Sequence, residues 1–386
     1  MRTFTEEQNM FRDAYRKFLE AEIVPNMEKW QEQGIVDREA FKKAGDQGFL
    51  MIWPDERYGG LGDSDFRFEQ IIMEETHRVG CASWLNTLHS RLVGSYFEHI
   101  GNDEQKQRFL PGCIKGEKIL AIAMTEPDAG SDLAGMRTTL REDEDHFILN
   151  GSKTYISNGI NADYVVVAGK SDPENNPHAM TLCVVERGME GFERGRNLDK
   201  MGMKAQDTAE LFFNNVIIPK ENVLGEVGRG FFYLMQGLAE ERLIAAVGSI
   251  ASARRAFNLT REFVMERKVF GKPLSYMQNT QFKMAEMDTE IEIVEVFIDH
   301  LVAEHNEDRL TANMAAKAKL QSTEIEWKML DLGVQLHGGA GYMKEYPICN
   351  MFTDARINRI LAGSSEIMKL IISRDIFSES YSSNLD

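Results

Sequence analysis

The sequence predicts an α+β protein with an N-terminal α-helical domain, a middle β-sandwich or barrel, and a C-terminal four-helix bundle. Three observations carry this: a helical period to about residue 120, short β-branched runs from 121 to 232, and long amphipathic stretches from 233 to 386. In the first zone, Thr5 and Gln8 have the spacing of a capping box, and Phe11, Tyr15, Phe18 and Leu19 fall on one helical face. Further helices are expected over Arg38–Gln47, Arg67–Val79, Leu88–Ile100 and Asp103–Ile114, with Pro54 and Gly59-Gly60 as breakers. In the second, Phe147–Leu149, Tyr164–Val167, Met180–Val185, Leu211–Phe213 and Val216–Ile218 read as short strands divided by Gly, Asn and Asp. The third zone is rich in Ala, Leu, Met, Glu and Lys, and the last serines read as a frayed tail.

Composition excludes several classes of function. Sixty-one acidic against 44 basic residues give a net charge of -17, which disfavours nucleic acid and anionic membranes as partners. Cys81, Cys113, Cys183 and Cys349 lack metal-ligand spacing and read as reduced thiols, so no metal site is expected. No apolar run approaches the about 20 residues of a membrane span, and the N-terminus lacks the apolar core of a signal peptide. The expectation is a cytoplasmic protein.

Four segments carry chemistry. Met124-Thr125-Glu126-Pro127-Asp128-Ala129-Gly130-Ser131-Asp132 offers backbone N–H groups and hydroxyls where helix gives way to strand, as a ligand cradle or a capped turn. Asn150–Gly159 reads as a hairpin whose return strand puts Tyr155 and Ser157 on one face. Arg267-Lys268-Val269-Phe270-Gly271-Lys272, followed by Gln278, sets a cation and an amide near a helix end. Gln335-Leu336-His337-Gly338-Gly339-Ala340-Gly341-Tyr342 closes a helix with glycines that admit a ligand or merely end it.

In this order, from about residue 5 to 380, these segments resemble the acyl-CoA dehydrogenases. Met203–Phe213 resembles the long-chain members in particular, while Asn350 stands where the second family signature prefers Lys or Arg. The resemblance implies FAD, an acyl-CoA substrate, an electron-transfer flavoprotein as acceptor, and a homotetramer built as a dimer of dimers. Met124, Thr125 and Ser131 would face the isoalloxazine or the acyl-CoA. Tyr155 and Ser157 would lie on the ring's other side, Tyr155 where the family often has Trp. Arg267, Gln278, Gln335, Gly338 and Gly339 would meet the pyrophosphate across a subunit boundary, Arg267 through its bidentate fork. Phe270 belongs to the same cofactor segment, although alone it reads as packing. Ser364 and Glu366 would touch the nucleotide. Ser131, Arg242 and Gly363 would line the substrate side. Arg267 could instead pair with Glu262 or Glu266 on the helix surface.

Taking a proton from Cα of a thioester needs a base beside a polarised carbonyl. Most family members place that carboxylate immediately before the glycine of the turn that here reads Leu361-Ala362-Gly363-Ser364-Ser365. Alanine cannot serve, but it keeps the backbone N–H that in the family donates to the thioester carbonyl. The long-chain and isovaleryl members carry the base on the first long C-terminal helix, before an arginine, and Glu241-Arg242 matches them. Adjacent helical residues diverge by about 100°, so Glu240 is expected to be solvated or on the CoA side. An ion pair of Glu241 with Arg242 is the alternative. Arg91 reads as a surface residue; facing the acyl tail instead, it would select a polar or anionic far end. Competing functions are an acyl-CoA oxidase, a dehydrogenase of carrier-protein thioesters, and a silent flavoprotein that binds acyl-CoA or scaffolds partners.

Overall fold

Helices, then one sheet, then longer helices follow each other along the chain in the computed structural model, which describes residues 4–378 apart from 173, 175 and 177. The serine tail lies largely outside these residues. Helix α1 (Glu6–Phe18) opens with the capping box, Gln8 N–H donating to Thr5 Oγ1 at 3.1 Å and Thr5 N–H to Gln8 Oε1 at 3.0 Å. Its apolar face, Tyr15 and Phe18, meets Phe49, and Phe11 meets Phe49 and Phe68. Helices α2 (Met27–Gln33), α3 (Arg38–Asp46), α4 (Arg67–Val79), α5 (Gly94–Ile100) and α6 (Asp103–Ile114) complete the first zone. The helix expected over Leu88–Ile100 is not uniform: Leu88–Val93 is a π-helical turn that runs into α5.

The sheet has strands β1 (Leu120–Ala123), β2 (Thr139–Asp143), β3 (His146–Ser157), β4 (Tyr164–Lys170), β5 (Met180–Glu186), β6 (Phe192–Asn197), β7 (Thr208–Pro219) and β8 (Val223–Leu224). Their order is β6-β7-β3-β2-β4-β5-β8, with β1 parallel to β4. The sheet curls over, so Phe147 and Phe213 share one apolar core with Val165, Cys183 and Val185 of its other half. Its opposite face, with Val166, Leu182 and Val184, packs on α5 and α6 through Phe97, Phe109 and Leu110.

Two sequence expectations fail here for the same reason. Leu211–Phe213 and Val216–Ile218 are one strand, because Asn214-Asn215 forms a bulge and not a turn. Asn150-Gly151 is likewise no hairpin turn: β3 continues through it, and the chain reverses before it, at Glu144 with φ +48°. The side chains of Asn150 and Asn215 hydrogen-bond at 3.0 Å across the strands, so two turn-forming residues satisfy each other. Gly151 is needed for space, since a Cβ there would lie 2.4 Å from Thr138 Oγ1.

Helices α7 (Gly230–Glu266), α8 (Gln278–Asn306) and α9 (Ala312–His337) form the C-terminal bundle, with α10 (Pro347–Ala355) and α11 (Ser365–Ile376) on α9. A short hairpin, β9 (Lys268–Val269) and β10 (Lys272–Pro273), joins α7 to α8. Helix α4 also packs on α7, placing Phe66 and Met73 in the bundle core. Among the described residues no helix is long and apolar enough to cross a membrane.

Candidate active site

The middle of α7 is buried on nearly all sides, an environment that suits apolar residues and yet holds Glu240, Glu241 and Arg242. Glu241 is 5 % exposed, and its Oε1 accepts a hydrogen bond from the Tyr96 hydroxyl at 3.0 Å. Burial pushes its carboxyl up to about 7, against the pull of Tyr96 and Arg242 and with the help of Glu240. Glu240 differs. Its two oxygens take the Arg91 fork at 2.7 and 2.8 Å, and Oε2 also meets His305 Nε2 at 2.7 Å. Burial alone would raise the Glu240 carboxyl, but Arg91 and His305 hold it at about 2.

These contacts correct two expectations. Arg91 is not on the surface: it is 5 % exposed, and its remaining nitrogen lies 3.2 Å from Glu98. Each nitrogen of the guanidinium thus faces a carboxylate, which leaves none for an acyl tail. Nor is Glu240 solvated, because Arg91 from the π turn and His305 from α8 enclose it.

Arg242 connects α7 to the turn before α11. A Cβ built on Gly363 would lie 3.9 Å from Arg242 Nη2. Lys319 of α9, with no exposed surface, donates to the Gly363 carbonyl at 2.7 Å. Burial, aided by the Arg242 charge, pushes the Lys319 ammonium down to about 8. Ala362 and Gly363 both have left-handed backbone, at φ +50° and +93°. Ser364 then caps α11 by accepting the Ile367 N–H at 3.4 Å, and Ser365 is tied to Glu324 at 2.7 Å. A side chain on Gly363 would meet Met368 Cε at 2.6 Å. Gly363→Ala is therefore expected to lose about 1–2 kcal/mol of stability, read as a fall in the urea midpoint.

The two ligand-cradle segments also come together. Lys153 of β3, 1 % exposed, donates to the Met124 carbonyl and to Glu126 Oε1, both at 2.9 Å. Thr154 N–H donates to the Thr125 carbonyl at 2.9 Å. This pins Met124 and Thr125, both half-buried, beside the end of β3, with Ser131 exposed farther along the loop. Ile156 enters the core while Tyr155 and Ser157 point to the open side, Tyr155 at φ +60° and 69 % exposed.

Arg267, Phe270, Gln278, Gln335, Gly338, Gly339 and Glu366 are exposed. No hydrogen bond or ion pair joins them to the Met124–Ser131 loop among the described residues of one chain. Arg267 pairs with neither Glu262 nor Glu266. Phe270 does not pack within one chain: it is 98 % exposed, at the tip of the β9–β10 hairpin.

Three domain descriptions match the chain in order: acyl-CoA dehydrogenase N-terminal domain over residues 5–117, middle domain over 121–216 and C-terminal domain over 228–377. The chain belongs to the acyl-CoA dehydrogenase family. A mitochondrial long-chain specific acyl-CoA dehydrogenase of Sus scrofa is 43% identical over 97% of this chain and 87% of its own length. A crystal structure of an acyl-CoA dehydrogenase from Geobacillus kaustophilus is 46% identical, with a TM-score of 0.95, over 98% of this chain and 100% of that one. An acyl-CoA dehydrogenase from Bacillus anthracis, solved complexed with FAD, is 30% identical with a TM-score of 0.89, over 97% of this chain and 67% of that one.

Within this acyl-CoA dehydrogenase fold, sequence reasoning missed Tyr96, Lys319 and His305. Lys319 had a signal: it is a lone cation on the Ala315, Ala316, Ala318, Leu320 face of α9. Tyr96 had a weaker one, since its link to Arg91 depends on the π turn, which a 3.6-residue period hides.

Proposed function

We propose that the protein catalyses FAD-dependent α,β-dehydrogenation of a long-chain or branched acyl-CoA to the trans-2-enoyl-CoA, with Glu241 as base. The observation that supports this best is a buried carboxylate on α7, held by one hydroxyl and poised near neutrality, in a chain with Ala362 at the turn. Proton abstraction is fastest when the base titrates near the working pH.

The residues fit a flavin nucleotide. Tyr155 offers an exposed ring on β3 next to Thr154, whose N–H bonds the Thr125 carbonyl, with Ser157 two residues on and Ser131 exposed on the facing loop. Gly338 and Gly339 leave open space where a Cβ would stand, and the Arg267 guanidinium forms no ion pair with its helix neighbours. Phe270, Gln278, Gln335, Ser364 and Glu366 would extend this surface toward the nucleotide, those of the β9–β10 hairpin reaching a neighbouring subunit. The chemistry that FAD would supply there is acceptance of the hydride from Cβ.

The chain's own groups do the remaining work. Tyr96 fixes Glu241 Oε1, which leaves Oε2 to take the α-proton. The Ala362 N–H donates to the thioester carbonyl as negative charge develops there. Lys319 holds that turn through the Gly363 carbonyl, with Arg242 alongside. Burial keeps water from the carboxylate.

Long acyl groups are supported by the 43% identity to a long-chain enzyme and by the Met203–Phe213 segment. An electron-transfer flavoprotein as acceptor, a homotetramer and a cytoplasmic location complete the reading. Its domain limits are 1–120, 121–232 and 233–386.

Anaerobic titration with butyryl- to palmitoyl-CoA and isovaleryl-CoA, followed by flavin bleaching, tests this. Bleaching is expected with long or branched chains, and no bleaching with any of them overturns it. Since the base must be ionised, the second-order reduction rate should climb about tenfold per pH unit on the acid side and level off above about 7.

A further inference from the structure

Two carboxylates on consecutive residues are both buried, Glu240 at 8 % and Glu241 at 5 % exposure. Ionising both in one apolar region is unfavourable unless something divides the roles between them. The donors do so unequally. Glu240 receives two hydrogen bonds from Arg91 and one contact from His305, whereas Glu241 receives one from Tyr96.

Arg91 and Tyr96 are five residues apart, a spacing that an α-helix would splay by about 140°. The π turn over Leu88–Val93 widens the helix so that both reach α7, each taking one of the adjacent carboxylates. The cluster spans six elements. Glu240 is faced by Arg91 from the π turn, His305 from α8, Glu69 from α4 and, behind Arg91, Glu98 from α5. Glu241 is faced by Tyr96 from α5 and by Glu240 and Arg242 on α7, with Lys319 of α9 beyond Arg242.

We propose that Glu240 is a positioning residue: an anion locked by Arg91 and His305 whose fixed charge, one residue from Glu241, raises the proton affinity of the base and keeps Glu240 itself out of the reaction. It acts through Glu241 and touches neither substrate nor flavin. Of the charges beside Glu241, Arg242 lowers its proton affinity and Glu240 raises it, while Arg91 bonds to Glu240 and not to Glu241. Removing the Glu240 charge thus moves the base toward acid whether or not Arg91 is kept. This inference rests on the proposed role of Glu241, and its test has one readout that does not need turnover.

Glu240→Gln is compared with the double variant Glu240→Gln/Arg91→Met, which removes both charges and leaves no buried cation unpaired. The first readout is the acid limb of flavin bleaching against pH, using the acyl-CoA that bleaches the wild type fastest in the butyryl-to-palmitoyl series. The second is infrared pH titration of the protonated carboxyl band, assigned to Glu241 by its loss in Glu241→Gln. Both variants should shift limb and band to lower pH by about half to one unit. A purely structural role would lower the unfolding midpoint and leave the limb and band in place, which overturns the proposal. If Glu240→Gln does not fold, the double variant decides by the same criterion. If the wild type shows no bleaching while the band shifts in the variants, the dehydrogenase reading fails and the coupling of the two carboxylates stands.

Discussion

Glu241→Gln should slow flavin reduction by acyl-CoA about a thousandfold and make the protein harder to unfold above pH 7. The amide keeps the Tyr96 hydrogen bond but cannot accept a proton. The stability gain follows from linkage. In the folded chain the carboxyl keeps its proton up to about 7, against an ordinary value of 4.5. Between these values the folded state binds more protons than the unfolded one, so stability falls as pH rises through that window. Glutamine removes the penalty, with no gain expected below pH 4.5 and a gain on the order of 2 kcal/mol at pH 8. Urea unfolding of both proteins at pH 4 and pH 8 measures it. Equal midpoints at pH 8, or wild-type bleaching by the variant, would remove Glu241 from the role of base.

The largest stability loss is expected at Arg91. Arg91→Leu strips two hydrogen bonds from Glu240 and leaves a buried carboxylate with His305 alone. Breaking a buried pair from one side typically loses about 3–5 kcal/mol. Adding Glu240→Gln to Arg91→Leu should recover much of that, since the orphaned charge is gone. A surface arginine would give almost no change in the urea midpoint, and the added glutamine would do nothing.

Much of the fold was legible because period and breakers agree locally. Arg67–Val79 and Asp103–Ile114 have the expected ends, and Thr5 with Gln8 forms the expected cap. Where the reading failed, tertiary pairing overrode a local signal. Asn150 and Asn215 are turn formers one at a time, but facing each other across β3 and β7 they satisfy each other inside strands. The candidate base was legible from resemblance, through the Glu-Arg-Leu register. Its surroundings were not, because Arg91, Tyr96 and His305 reach α7 from other elements, 149, 145 and 65 residues away along the chain. No window of sequence contains such contacts. Charge statistics even point the wrong way, since arginine and glutamate are usually exposed.

The widened turn at Leu88–Val93 also bears on how this region tolerates insertion and deletion. A π turn holds one residue more than the α-helical path across the same span. Removing one residue there would rewind the segment to a regular α-helix with both flanks left in place, and the side chain now at Tyr96 would follow Arg91 by four residues, about 40° apart on one face. Relatives that show a one-residue gap at this place in an alignment would therefore keep a helix of similar length and apolar character. In them the two side chains that meet the α7 carboxylates would stand four residues apart in place of five.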